Sequence, residues 1–256
     1  MADTQATGLR TGAAFLAGLA ASERAIFVEG ERISNPAAHP AFKGGARSIA
    51  RLFDFAAAEE NREAMTFMSP DTGKPVWRCY QIPRTHADLK AKRIAAEKWA
   101  EQTFGLMGRT PDHVSNFFTG FAAKPSVFAA SGQQYADNVI AFHRFARENH
   151  LYIAYAIVPP QIDRSKPAHQ QADPTLYAGV VKETDSGIII SGGQQLASGG
   201  VFADYIHVSC IHPLQKGDEN YALSVAIPLD APGLKLYPRR PYALHATGAE
   251  DYPLTT

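Results

Sequence analysis

The alternation of apolar and polar positions changes character near residue 150. Before that point apolar residues recur at helical spacing. Phe15, Leu16 and Leu19 share a face within 10–22, and Ala46, Ile49, Ala50, Phe53, Ala56 and Ala57 do so between Lys43 and Met65, with charges opposite. Thr85 and Asp88 form a capping-box pattern with Asp in the usual Glu or Gln position. It predicts a helix to Thr103 with Leu89, Ala96, Trp99 and Ala100 turned inward. A further helix runs to about Ala122. Another, with Ser131 as its cap, carries Tyr135, Val139, Phe142 and Phe145 at helical spacing and ends near His150. Ile26–Val28 with Glu29-Gly30-Glu31 predicts a small hairpin, and Val76–Ile82 an extended segment. After residue 150 the apolar runs shorten. Leu151–Val158, halted by Pro159-Pro160, reads as a buried strand, and the polar stretch from Asp163 to Pro174 as a loop. Tyr177–Glu183, Gly187–Ser191, Tyr205–Ile211, Ala222–Pro228 and Leu234–Tyr237 are further extended segments, with Gly-containing turns among them. The expected class is α+β: residues 1–150 mainly helical, and 151–256 an antiparallel sandwich or barrel.

Composition narrows the partners. Lys plus Arg equals Asp plus Glu at 25 each, and no basic cluster stands out, which argues against nucleic acid and anionic membrane. The small-residue run 11–22 resembles a signal-peptide core. However, only Arg10 precedes it, Asp3 offsets that charge, and Glu23 and Arg24 follow at once. A cytoplasmic protein is expected. Cys79 and Cys210 lie far apart and outside any CxxC pair, so two thiols are expected rather than a disulfide or a cysteine-built metal site. His143 and His150, seven apart on one helix, lack a third ligand, so packing or surface roles outweigh a metal. Walker A, GxGxxG and GxSxG patterns are all missing.

The richest stretch is 104–122, Phe-Gly-Leu-Met-Gly-Arg-Thr-Pro-Asp-His followed by an apolar helical face. Thr110 suits the N-cap, Pro111 the first helical position, and Asp112 the positive end of the helix dipole. Gly105 and Gly108 permit a tight turn just before, which delivers Arg109 to a helix mouth. Taken locally, this is a well-capped helix preceded by a solvated arginine.

Several segments, in order along nearly the whole chain, resemble the 4-hydroxyphenylacetate 3-monooxygenase family, the oxygenase components of two-component flavin-dependent phenol hydroxylases. They are Arg10-Thr-Gly-Ala, Thr66-Phe-Met-Ser-Pro-Asp-Thr-Gly-Lys-Pro-Val76, and Trp99-Ala-Glu-Gln-Thr103 running into Gly105-Leu-Met-Gly-Arg-Thr-Pro-Asp112. Further on come Ile157-Val-Pro-Pro-Gln-Ile-Asp-Arg164, Gly192-Gly-Gln-Gln-Leu-Ala-Ser198 with Ala203-Asp204, Tyr221-Ala-Leu and Asp251-Tyr-Pro-Leu254. The resemblance implies an acyl-CoA-dehydrogenase-like fold with an N-terminal helical domain, a β domain and a C-terminal helical bundle through which tetramers form. Family members are about twice this long, so the bundle is expected to be absent here, and part of the flavin site with it. The implied chemistry uses reduced FAD from a separate reductase and O2, and a C4a-hydroperoxyflavin transfers oxygen to a phenol ring. An inactive fragment or scaffold needing a partner chain is the alternative. A 4-hydroxybutyryl-CoA dehydratase-like enzyme is disfavoured, because residues 99–122 hold no cysteine for its cluster.

Carried over position by position, the resemblance makes Arg109 the residue at the phenol and flavin, where its fork can stabilise a phenolate. Gln161, Asp163 and Arg164 fall in the cofactor-contacting segment after the first β strand. Ser198 stands where a flavin-binding Thr is usual. Ser209 and His212 are candidates for the substrate's far end. Two positions depart from the pattern: His113 replaces a Tyr, and Tyr155 replaces a His. Either the two still provide hydrogen bonds to the phenol oxygen, with His113 as the titratable partner, or the site is retuned or decayed.

Overall fold

The computed structural model describes residues 8–160 and 162–239. Their chain order is α1 (Gly12–Ala21), β1 (Ala25–Val28), β2 (Glu31–Ile33), α2 (Lys43–Ala57), α3 (Arg62–Met65), β3 (Thr66–Met68), β4 (Pro75–Trp77), α4 (His86–Glu101), α5 (Asp112–Ala123), α6 (Ser126–Ala129) and α7 (Gln133–Glu148). Then come β5 (Ile153–Ala156), β6 (Gly179–Thr184), β7 (Gly187–Ser191), β8 (Tyr205–Ser209), β9 (Ser224–Pro228) and β10 (Lys235–Leu236). One compact unit gathers the described residues of Met1–Tyr152 and Pro232–Thr256; the other is Ile153–Ala231.

In the first unit the core is aromatic. Phe15 on α1 meets Phe53 on α2 at 4.9 Å, Phe53 meets Trp77 at 4.8 Å, and Trp77 meets Trp99 on α4 edge-on at 5.5 Å. Such tilted and edge-on pairs suit the ring quadrupole. The Trp99 indole donates to the Leu52 carbonyl at 3.0 Å, so its polar atom is satisfied inside the core. The Arg10-Thr-Gly string builds this corner. Arg10 lies over the rings of Phe15 and Phe53, and the Thr11 hydroxyl caps α1 by accepting from Ala14 N at 3.2 Å. Gly12 donates its N–H to Asp54 at 2.7 Å. A Cβ at Gly12 would sit 2.4 Å from the Ala50 carbonyl oxygen, so α1 and α2 approach closely only because that atom is missing. Gly12→Ala is therefore expected to cost about 1–3 kcal/mol through overpacking, read as a lower denaturant midpoint with unchanged m-value.

The capping box forms as expected. Asp88 N donates to Thr85 Oγ1 at 3.1 Å, and Thr85 N to Asp88 Oδ2 at 2.8 Å. Ser131, by contrast, does not cap α7. Gly132 occupies that position without a side-chain bond, and α6 precedes it. The inward face of α7 also differs from the periodicity: Tyr135 and Phe145 are exposed, while Ala136, His143, Ala146 and Arg147 are buried. The reason is a polar clamp. Ser69 and Thr72 donate to the two Glu148 oxygens at 2.6 and 2.7 Å, and Arg147 bridges Asp71 and Glu148. The Ser69–Gly73 turn thereby holds the buried face of α7 by charge-assisted bonds, while Phe142 packs on Phe118 at 4.6 Å. β1 is the middle strand of a three-stranded sheet, antiparallel to β2 and parallel to β10.

In the second unit β8 is central. It pairs antiparallel with β9 and parallel with β5. β6 and β7 form an antiparallel hairpin with a register shift between Val180 and Lys182. The antiparallel expectation thus holds for two pairs, and β5 adds a parallel one. Gly192, at φ +115°, has its Cα so close to the Tyr177 carbonyl that a Cβ would lie 1.9 Å from the oxygen, a place only glycine fills.

Candidate active site

In the first unit, α4 ends in a left-handed step. Phe104 and Gly105 both have positive φ, and Gly105 N reaches back to the Ala100 carbonyl at 2.8 Å. Gly108 does not adopt positive φ, so the turn uses only one of the two glycines. Thr110 does not cap α5 with its side chain. Its hydroxyl donates to Asp112 Oδ1 at 2.5 Å, while its carbonyl accepts from His113 N at 3.0 Å. Asp112 stands in the first helical turn, where its charge complements the dipole; burial raises its carboxyl above the ordinary range, against the Thr110 bond.

Behind this mouth lies a buried polar network. The Ser115 hydroxyl lies 2.8 Å from the Pro111 carbonyl and 2.9 Å from the Tyr80 hydroxyl, which donates to the Leu151 carbonyl at 2.8 Å. Thr119 reaches the Cys79 carbonyl at 3.0 Å, and His143 Nε2 the Tyr80 carbonyl at 3.0 Å. The Lys92 ammonium donates to the Cys79 and Gln81 carbonyls, and burial lowers its pKa. Tyr152, 2 % exposed, donates its hydroxyl to the Arg109 carbonyl at 2.9 Å. The exposed loop is thus tied to the interior at Arg109. Arg109 Nη1 and His113 Nε2 are in contact at 2.5 Å, and the His113 ring tilts against Phe117 at 5.0 Å. Burial, and then the Arg109 charge, lower the His113 pKa.

In the second unit, parallel register sets Tyr155 opposite His207, and their rings stack at 5.0 Å with 15° between planes. The Tyr155 hydroxyl is 2.6 Å from Ser209 Oγ. Gln194 donates to the Ser209 carbonyl at 2.8 Å, and His207 Nε2 lies 3.2 Å from Ser224 Oγ. Burial pushes His207 down to about 4, leaving it neutral. The two-residue period of β8 puts His207 and Ser209 on one face, in line with Tyr155, so one sheet face carries a phenol, an imidazole and two hydroxyls. Sequence reading named Tyr155 and Ser209 and missed His207, Ser224 and Gln194. The alternation within Tyr205–Ser209 was the signal that could have found His207.

The remaining sequence-derived positions are not gathered here. His212 is exposed, and its carbonyl accepts from the Cys210 thiol at 3.3 Å. Asp163 and Arg164 are exposed in the loop after β5. The Asp163 carboxylate is engaged by Ser165 N and Oγ at 3.0 and 2.6 Å and by Lys166 at 3.3 Å. Ser198 is exposed in the turn that follows Gln195. Gln161 lies outside the described residues. Among the described residues no group of three metal-ligating side chains occurs, and no helix is long and apolar enough to cross a membrane.

Residues 11–256 match the family model for the N-terminal part of 4-hydroxyphenylacetate 3-hydroxylase. The chain belongs to the 4-hydroxyphenylacetate 3-hydroxylase family. It is 34% identical over 225 residues to the 4-hydroxyphenylacetate 3-monooxygenase oxygenase component of Thermus thermophilus, covering 88% of this chain and 45% of that protein. It is likewise 34% identical to the 4-nitrophenol 2-monooxygenase oxygenase component of a Rhodococcus species, covering 91% of this chain and 44% of that one. A crystal structure of a 4-hydroxyphenylacetate 3-monooxygenase oxygenase component complexed with FAD superposes with TM-score 0.87 at 32% identity, over 96% of this chain and 50% of that one. An archaeal 4-hydroxybutyryl-CoA dehydratase from N. maritimus shares the fold at TM-score 0.79 and 23% identity, over 92% of this chain and 47% of that one. The fold is α+β and acyl-CoA-dehydrogenase-like. The chain spans about half the length of the curated family members it matches.

Proposed function

We propose that the chain is the N-terminal part of the oxygenase component of a two-component, FADH2-dependent monooxygenase that hydroxylates a phenol with O2. The observation that carries this reading is the Arg109–His113 contact at the mouth of α5, a permanent cation joined to an imidazole and held from behind by Tyr152. A guanidinium in that setting binds and stabilises a phenolate oxygen, which enriches the ring for attack by an electrophilic oxygen. From the first unit, Arg109 and His113 act on the phenol oxygen. In the second unit, taken by itself, Ser209 orients the Tyr155 hydroxyl, and Tyr155, Ser209 and His212 are the residues proposed to recognise a phenolic substrate.

The donor chemistry of the second unit fits reduced FAD. The Ser198 hydroxyl and the Arg164 guanidinium are exposed and make no hydrogen bond or ion pair among the described residues, so both are available to a polar, anionic cofactor. Asp163, already engaged by Ser165 and Lys166, serves by shaping the loop that presents Arg164, and Gln161 is a further cofactor residue. When bound, the flavin supplies the activated oxygen; the protein's part is to orient the phenol and keep water away. A flavin reductase is the proposed partner, and a homotetramer the proposed state of the complete oxygenase. A cytoplasmic setting is supported by Cys79 and Cys210, both thiols.

The test is an anaerobic FADH2 titration of the chain, alone and with the polypeptide supplying the rest of its relatives' length. Oxygenation with 4-hydroxyphenylacetate, 4-nitrophenol and other phenols follows. FADH2 binding and oxygen-dependent hydroxylated product are expected, and Arg109→Ala should lower turnover about a hundredfold. Failure to bind FADH2 in both settings would leave the fragment alternative instead.

A further inference from the structure

The Arg109–His113 contact has a direction that the side chains themselves impose. A guanidinium carries only N–H donors and no lone pair that can accept. Where Arg109 Nη1 meets His113 Nε2, the imidazole nitrogen must therefore be the acceptor, and the single proton of a neutral ring sits on Nδ1. Both partners are held in place independently of each other. Tyr152 fixes the Arg109 carbonyl, and His113 rides on the first turn of α5 with its ring against Phe117. The charged groups that act on His113 are Arg109, which opposes a positive imidazole, and Asp112, which favours one. The Asp112 carboxylate is itself turned to the Thr110 hydroxyl.

We propose that Arg109 locks His113 as the neutral Nδ1–H tautomer, so that the pair offers donors and no acceptor and receives its phenol as the phenolate. Resting on the reading above, this assigns His113 a binding role and removes it as the base. The phenol's O–H bond breaks before binding, with the proton passing to water and the electron pair staying on the oxygen that Arg109 and His113 then receive. The exchange of Tyr for His at this position thus retains a donor. It does not install a proton acceptor.

Two measurements decide it in the complete oxygenase. In histidine-labelled protein near neutral pH, with His113 assigned by its loss in His113→Gln, nitrogen NMR is expected to show Nδ1 protonated and Nε2 bare. Arg109→Ala should return the ring toward the Nε2–H form and raise its pKa. An Nε2–H ring in the unsubstituted protein overturns the proposal. Separately, the affinities for 4-nitrophenol and 4-hydroxyphenylacetate are measured against pH. Each should weaken about tenfold per pH step below that phenol's own pKa, so the two midpoints separate. A shared midpoint for both ligands would place the titrating group on the protein and also overturn it. If neither phenol binds, the proposed function fails, while the tautomer still decides the lock.

Discussion

Acidification from pH 7 to pH 4.5 is expected to unfold the first unit through two buried histidines. His143 and His150 are both 3 % exposed, and burial pushes each down to about 4. His143 donates to the Tyr80 carbonyl, with Arg147 and Lys92 opposing a charge on it and Asp71 favouring one. His150, at φ +49°, stands edge-on to Trp77 at 5.3 Å; Arg10 opposes its charge, while Glu148 and a bond to Pro75 favour it. In the unfolded chain both imidazoles take up a proton near their ordinary 6.5. Between 6.5 and about 4 the unfolded state therefore binds more protons than the folded one, so stability rises with pH and is lost as pH falls. Each ring contributes about 3 kcal/mol at full expression, and two together rival the whole stability of an ordinary domain. Denaturant unfolding at pH 7, 6, 5 and 4.5 should show a slope approaching two protons taken up near pH 5. A flat profile down to pH 5 would mean that both rings already titrate normally in the folded protein.

The same two histidines mark where sequence reading succeeds and where it stops. That they serve packing or surface roles was legible, because two histidines without a third ligand make a poor metal site. Their depth was not. A helix face that buries His143 and Arg147 and exposes Phe145 inverts the usual apolar rule, and it does so through Ser69, Asp71 and Thr72, more than seventy residues away. Periodicity within 133–148 holds no trace of that clamp. Local devices fared better. The Thr85 capping box and the β1–β2 hairpin are decided by residues a few positions apart, and both formed. Leu89, by the same periodic rule, was placed inward and is 54 % exposed. Strand existence was readable from short apolar runs, but pairing was not: the parallel β5–β8 ladder and the docking of β10 on β1 join segments about fifty and about two hundred residues apart.

The candidate site divides along the same line. Arg109 and His113 lie four residues apart across a helix start, so sequence spacing alone brings them together, and the structure adds Tyr152 as the tether. Tyr155 and Ser209 meet only because β5 and β8 pair in one particular register; a shift of one residue would turn the Ser209 and His207 side chains to the opposite face. The alternation within Tyr205–Ser209 places His207 on the Ser209 face, but it does not place it against Tyr155. Its stacking on Tyr155 depends on a ladder that no local pattern encodes.

Trp77→Ala is the second large effect expected, at about 3–5 kcal/mol of lost stability. Trp77 is fully buried and is the ring that Phe53, Trp99 and His150 share, at 4.8, 5.5 and 5.3 Å. Removing it strips three aromatic neighbours of one contact each and leaves a cavity lined by rigid rings, which cannot collapse to fill it. Trp77→Phe separates packing from polarity. The Trp77 indole N–H is buried and has no hydrogen-bond partner among the described residues, unlike that of Trp99. Phenylalanine would shed this unsatisfied donor while keeping most of the ring volume, so its cost should stay well below that of alanine. The loss should also reach the candidate site. Trp77 opens directly into the Arg78–Tyr80 turn, whose Tyr80 hydroxyl and Cys79 carbonyl hold Ser115 and Thr119 of α5. The decisive comparison is the denaturant midpoint of Trp77→Ala and Trp77→Phe against the unsubstituted chain. Equal losses for the two would show that the indole N–H is satisfied after all.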